Sequence, residues 1–95
     1  MTSKDLASYR TIERGPLRTT VGGFEMLTTP PPGAGSLLAL ALKIMDGYNW
    51  TAKDLKDRPA LTYHRIIEAM KFAYAPFTFL GDPRYTNHTD EVNLI

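Results

Sequence analysis

The 95-residue sequence contains no cysteine, which excludes disulfide bridges, thiolate metal sites and cysteine nucleophiles. Its two histidines, His64 and His88, lie far apart, and no acidic cluster stands beside either of them at metal-ligand spacing. A zinc site needs three or four such ligands close together, so no metal site is expected. No cofactor is expected either, because no complete cofactor motif is present.

The sequence also lacks a strong excess of either charge. Eleven Lys and Arg residues against ten Asp and Glu residues give a net charge of +1. The basic residues are scattered from Lys4 to Arg84. Because binding to a phosphate backbone requires a basic patch, nucleic acid is not an expected partner.

Long hydrophobic runs are missing as well. The longest apolar run, residues 37–42, is far shorter than the roughly 20 residues that a bilayer core requires. The first ten residues, MTSKDLASYR, contain no apolar stretch of the kind found in a signal peptide. We therefore expect no membrane span, signal or anchor in this chain.

The composition that remains is that of a folded protein. With 43% hydrophobic and 22% charged residues, residues 1–95 are expected to form a single unit. A free-standing chain of this size buries only about two-thirds of the surface that its unfolded form exposes, so its core is expected to be small.

The N-terminal part predicts a short helix and then a β-hairpin. Residues 2–10 can form a short helical segment, with Thr2 or Ser3 as its cap and Asp5 in its first turn. Two β-rich runs follow, residues 17–21 and 24–28. The glycine pair between them, Gly22 and Gly23, suits a tight hairpin turn that requires positive φ angles.

A strongly apolar helix is predicted after the three prolines at positions 30–32. It should run from Gly35 to Asp46, with a narrow polar strip and apolar residues on nearly every other side. Such a helix is normally buried on several sides, which is more cover than a short chain readily supplies. Gly47 stands where a left-handed cap is expected.

Two further helices complete a predicted α+β fold of hairpin, buried helix, short helix and amphipathic helix. Thr51 and Asp54 form a capping-box pattern that begins the short helix. The amphipathic helix should begin near Asp57 or Pro59 and end near Ala75, because Pro76 should stop it. Its predicted apolar face contains Ile66, Ile67, Met70, Ala73 and Tyr74, and its polar face contains His64, Arg65, Glu68 and Lys71.

The segment Gly33-Ala34-Gly35-Ser36 could cradle an anion, since it follows a strand and opens a helix. It has no Lys-Ser or Lys-Thr pair after the glycines and no complete dinucleotide-binding pattern. A structural joint between strand and helix is the favoured interpretation, and an anion-binding domain is the alternative.

Other candidate chemistry is sparse. His64 and Glu68 are four residues apart and could form an acid/base pair, although such pairs usually lie on a solvated helix surface. Asp82 is a natural turn residue, and no hydroxyl has a recognisable activating base. Phe72 falls on the polar side of its helix, where it is either partly exposed or part of a second packing surface.

Two glycosylation sequons are present, at Asn49 and at Asn87. Such triplets also arise by chance. The residues considered one by one therefore indicate a small α+β unit with no visible active site.

Several segments, read in order, resemble the large subunit of γ-glutamyltransferases, also called glutathione hydrolases. They are KDLASYR, GGFEMLTTPPPGAGS, LLALALKIMDGYNW, YHRIIEAMKFAYA and LGDPRY. The resemblance covers roughly residues 3–85, and residues 86–95 diverge from the family pattern. The family usually has an arginine at the position of Phe77, so a polar contact is expected to be lost there.

The resemblance implies part of an N-terminal nucleophile hydrolase with an αββα sandwich. Family members arise from a self-cleaving precursor, and the new N-terminal threonine of the small subunit attacks the γ-glutamyl bond of glutathione. Water or an acceptor amino acid or peptide then receives the glutamyl group. The family implies a small-subunit partner and a location on the extracellular face of the plasma membrane or in the secreted fraction.

The family's catalytic and substrate-binding residues match no position in this sequence. We therefore expect no catalytic and no substrate-binding residue here, and no activity from the 95-residue chain alone. The chain is expected to be an internal scaffold piece of the large subunit. The alternative is a non-catalytic, truncated homologue that acts as a binding or assembly module for the small subunit.

Overall fold

A computed structural model describes residues 1–87 of the chain. Within that range the chain forms a mixed α+β fold with one two-stranded antiparallel sheet, which confirms the predicted order of elements. The elements are α1 (Ser3–Ser8), β1 (Leu17–Val21), β2 (Phe24–Thr28), α2 (Gly35–Asp46), α3 (Ala52–Asp57) and α4 (Pro59–Phe77). His88 and most of residues 86–95, which were expected to diverge from the family pattern, lie outside the described residues.

The two short helices begin at the predicted caps. The backbone amide of Thr2 donates to Asp5 Oδ2 at 2.6 Å, and that of Thr51 donates to Asp54 Oδ2 at 2.8 Å. These bonds are the main reason that the pKa of each carboxyl group lies below its ordinary value. Each helix is only six residues long, so capping supplies much of what holds it in place.

The hairpin has the predicted strands and turn. Its register pairs Leu17 with Thr28 and Val21 with Phe24. Gly22 and Gly23 have φ angles of 57° and 80°, in the left-handed region that glycine adopts at little cost. The Gly22 amide also donates to Asp46 Oδ2 at 2.9 Å, which fastens the turn to the end of α2.

The core lies where α2 packs against α4, with the hairpin and α3 on its flanks. It is made of small residues, and none of the described residues buries a large side chain completely. Small side chains allow two helix backbones to approach closely, but each removes little apolar surface from water. The buried residues of the two helices are Gly35, Ser36, Ala39, Ala41, Thr62, Ala69 and Ala73.

The expectation that α2 is buried on several sides holds only in part. The hairpin covers one side and α4 another, yet Leu38 remains 48% exposed. The described residues supply no third element for that side of the helix.

Two predicted helix ends were wrong. Helix α4 does not stop at Pro76 but continues through it to Phe77, and Thr78 caps it. Pro76 is half-buried beside Leu37 and Leu40 of α2, so packing holds the last turn although proline donates no hydrogen bond. Gly47 is not left-handed, because hydrogen bonds between residues three apart continue the chain past it, and Asn49, with φ of 50°, makes the left-handed turn instead.

The predicted apolar face of α4 is divided by the packing. Ala73 is buried and Ile66 is half-buried, but Ile67, Met70 and Tyr74 are each more than half exposed. The line of α4 that touches α2 runs through small residues instead. No helix within residues 1–87 is both long and apolar enough to cross a membrane.

Candidate functional site

The strand-to-helix joint at residues 33–36 is built for close backbone approach. A Cβ atom added to Gly35 would lie 2.5 Å from Thr28 Oγ1 and 2.8 Å from the Thr29 nitrogen, and closer still to the Thr29 carbonyl oxygen. One added to Gly33 would lie 2.8 Å from Thr29 Oγ1. Close packing of the chain on itself therefore accounts for both glycines, and Gly35 and Ser36 are buried, so the geometry favours the structural interpretation of this segment.

The His64 and Glu68 side chains do not form a hydrogen-bonded acid/base pair. Glu68 Oε1 instead accepts from Lys71 Nζ at 2.7 Å, and this bond is the largest cause of the lowered pKa of Glu68. His64 contributes only a small charge effect to that shift, and its side chain is exposed. The pair belongs to a solvated helix surface.

Asp82 has a role that its place in a turn does not reveal. Its carboxylate accepts from Arg84 Nη2 at 3.0 Å and from Arg14 Nη2 at 2.9 Å, and the Arg84 backbone amide donates to it at 3.0 Å. The hydrogen bond from the Arg84 side chain is the largest cause of the lowered pKa of Asp82. Sequence reasoning missed the contact with Arg14 because the two residues are 68 positions apart.

A surface depression of about 420 Å³ next to Asp82 contains three guanidinium groups, from Arg10, Arg14 and Arg84. Arg10 Nη1 donates to the backbone carbonyls of Ala7 and Tyr9 at 3.1 and 2.8 Å. The other two guanidinium groups bind Asp82. All three guanidinium groups therefore donate to oxygen atoms of the chain itself. They hold segments of the chain together and do not form a catalytic group.

The sequon residues lie on the surface, as far as the structure describes them. Asn49 is exposed in the turn between α2 and α3. The hydroxyl of Thr51, the third residue of that sequon, donates to Asp54 Oδ2 at 2.7 Å. Asn87 is exposed, whereas the other two residues of its sequon lie outside the described range. Within residues 1–87, no three His, Asp or Glu side chains are grouped for a metal ion.

The model of the family described as gamma-glutamyltranspeptidase matches residues 1–94. The chain belongs to this family. The γ-glutamyltranspeptidases are enzymes, and the resemblance seen in the ordered segments is thereby confirmed.

Individual γ-glutamyltranspeptidase relatives match along nearly the whole chain. The chain is 34% identical over 93 residues to a glutathione hydrolase of Aspergillus flavus, covering 96% of this chain and 15% of that protein. It is 32% identical over 85 residues to the glutathione hydrolase 5 proenzyme of Rattus norvegicus, covering 87% and 15%. The chain thus spans about 15% of the length of these relatives.

A solved γ-glutamyltranspeptidase has the same fold in one part of its chain. The crystal structure of the Helicobacter pylori γ-glutamyltranspeptidase matches with a TM-score of 0.80 and 28% identity. The match covers 99% of this chain and 28% of that one. The hairpin and helices described here therefore recur inside a larger protein.

Proposed function

We propose that the chain is a scaffold segment of a γ-glutamyltransferase. The complete enzyme would cleave the γ-glutamyl bond of glutathione and transfer the glutamyl group to water or to an acceptor amino acid or peptide. Its nucleophile would be the N-terminal threonine of the small subunit, which forms a covalent glutamyl-enzyme. This chain would supply packing within the αββα sandwich and no catalytic or substrate-binding residue.

The main support is the structural match over 99% of the chain to the H. pylori γ-glutamyltranspeptidase. The hydroxyl chemistry of the chain agrees with a scaffold role. Thr2, Thr51, Thr62 and Thr78 use their hydroxyls for bonds at helix ends. Asp5 and Asp54, the carboxylates beside the Thr2 and Thr51 hydroxyls, also accept the backbone amides of those threonines and so act as helix caps.

The proposal is tested by exchanging segments. The 95 residues replace the matching segment of the H. pylori enzyme, and release of a chromophore from a γ-glutamyl anilide is measured. We expect turnover by the chimera, none by the same enzyme with the segment deleted, and none by the 95-residue chain alone. A chimera no more active than the deletion would refute the scaffold role, and turnover by the chain alone would refute the absence of a nucleophile.

A second candidate is a non-catalytic module that binds the small subunit or affects assembly of a complete relative. The many large apolar side chains exposed on the described surface favour it, because they could serve a partner outside the chain. Capture of a purified small subunit by the chain, without any gain in turnover, would favour this candidate over the first.

The proposed location is the extracellular face of the plasma membrane or the secreted fraction. It rests on the family and on the exposure of Asn49. Secretion from an animal cell should give a chain whose electrophoretic mobility shifts after glycan removal, and Asn49→Gln should reduce that shift. Absence of any shift would remove the support that the sequon offers.

A further inference from the structure

Four large side chains form a line along the exposed side of α4. They are Tyr63, Ile67, Met70 and Tyr74, here called the outer stripe, and they are exposed by 58%, 55%, 53% and 58%. Since a side chain of this size can bury about 150–250 Å², the stripe leaves on the order of 400 Å² open to water. That is comparable to the largest apolar patch on a typical monomer, which often has a function.

The spacing of the outer stripe indicates the shape of what would cover it. Its residues are separated by four, three and four positions, the spacing of the seam between two packed helices. At about 100° per residue, the four side chains fall within roughly 60° of each other around the helix. This narrow band fits one helix lying along α4 better than it fits a broad sheet.

The stripe is separate from the face that α4 already uses. Helices α2 and α3 lie on the side of α4 that contains Thr62, Ala69 and Ala73. Phe72, which is 68% exposed, falls roughly on the opposite side of α4 from the stripe. A helix could therefore dock on the stripe without displacing any element of the described chain.

The total surface of the chain, with residues 88–95 included, exceeds that of a compact protein of its mass. The chain exposes 7209 Å², whereas a compact 10.6 kDa protein exposes about 5,500 Å². The Cα radius of gyration is 17.4 Å, against about 12–13 Å for a compact domain of this length.

We infer that the outer stripe is the docking surface for one amphipathic helix of the same γ-glutamyltransferase, from outside these 95 residues. The inference rests on the proposed function. The occupant is assigned to the same enzyme because the H. pylori chain contains this fold as only 28% of its length, at a TM-score of 0.80. The docking helix would present apolar residues at the same alternating spacing.

The test uses the H. pylori chimera described above, with Ile67→Glu and Met70→Glu introduced singly. Placing a carboxylate in an apolar seam should lower the yield of soluble, protease-resistant enzyme by about tenfold or more, because a buried unpaired charge is strongly unfavourable. Ile67→Leu should keep the yield, since it preserves volume and apolarity. Resistance to a protease is measured beside turnover so that the readout does not depend on catalysis.

Phe72→Glu is the matched control, because it introduces the same charge at a somewhat more exposed apolar position of the same helix. It should leave the chimera's yield within about threefold of the parent, as expected for a surface change. Equal losses from Phe72→Glu and the stripe variants would overturn the assignment to this stripe. Parent-like yields from the stripe variants would overturn it as well, while leaving the scaffold role intact.

A second copy of the chain is the competing occupant. Sedimentation should show the 95-residue chain as a monomer. A dimer that Ile67→Glu dissociates would overturn the inference. Circular dichroism of the isolated variants should match the parent, because the stripe is exposed in the chain itself. If the parent chimera has neither yield nor turnover above the deletion, the scaffold role fails and the inference fails with it.

Discussion

The inner and outer faces of α4 are made from different kinds of residue. The inner face, on the side of α2 and α3, has Thr62, Ala69 and Ala73, which are 5%, 0% and 1% exposed. The outer stripe has two tyrosines, an isoleucine and a methionine, each more than half exposed. The inner face is thus closed by small residues that let the helix backbones approach. The large apolar side chains of the outer stripe remain exposed.

The joint at Gly35 resembles the inner face, because two stretches of backbone approach closely there as well. There the end of β2 lies against the first turn of α2, at a distance that leaves no space for a Cβ atom. Glycine allows the two backbones to approach closely at this joint. Alanine has the same effect along the interface between α2 and α4.

Gly35→Ala should destabilise the chain most, by about 3 kcal/mol, because the added methyl group meets backbone atoms that cannot rotate away. The free energy of unfolding is measured in urea. Gly15→Ala is the control, since a Cβ atom there has no neighbour within 4 Å. Equal stability of the two variants would show that the joint is not tightly closed.

Ala69→Leu should cost about 2 kcal/mol, since the inner face has no room for three extra carbon atoms between α2 and α4. Met70→Leu, one position along on the outer stripe, should change stability by less than about 0.5 kcal/mol. Similar costs for both would contradict the difference between the two faces.

Thr62→Val should lower stability by about 1 kcal/mol, because the Thr62 hydroxyl donates to the Asp54 carbonyl oxygen and so joins α4 to α3. Thr20→Val on the exposed side of β1 is the control. Thermal unfolding is the measurement. Equal melting temperatures for the two variants would show that the Thr62 hydrogen bond does not stabilise the fold.

Asp82→Asn should have a smaller and pH-dependent effect. The pKa of Asp82 is lowered in the folded chain by Arg84 and Arg14, so the carboxylate stabilises the fold above its ordinary pKa of 3.8. That contribution disappears as the pH falls below 3.8 toward the lowered folded-state value. The difference between parent and variant should therefore be present at neutral pH and vanish in strong acid. A difference that grows in acid would contradict this sign.

Ile67→Ser should change the stability of the isolated chain least, by less than about 0.5 kcal/mol, because its side chain already lies in water. Chemical denaturation is the measurement. A large loss in the isolated chain would mean that the outer stripe is already covered within the chain, and the contrast between the faces would fail.

Local features of the fold were predictable because they depend on residues three or four positions apart. The turn at Gly22 and Gly23, the caps at Thr2 and Thr51 and the bounds of α2 all follow from neighbouring residues. The ordered segments also identified the family, which its model confirms over residues 1–94.

Features that depend on distant residues were not predictable in the same way. Pro76 continues a helix because α2 packs beside it, and Arg14 finds Asp82 across 68 positions. For the candidate site, the missing lysine already argued against a phosphate loop at residues 33–36. The need for glycine at position 35 follows only from the tertiary structure, because an added Cβ atom would clash with the end of β2.

The hairpin, the helices, their caps and the family follow from the sequence, because short-range sterics, hydrogen bonding and segment order depend on neighbouring residues. Tertiary packing determines which side of α4 faces α2. The hydrophobic pattern placed Ile66, Ile67, Met70, Ala73 and Tyr74 on one apolar face, and packing divided them. Close contact between two backbones selects small residues, whereas periodicity records only which residues are apolar.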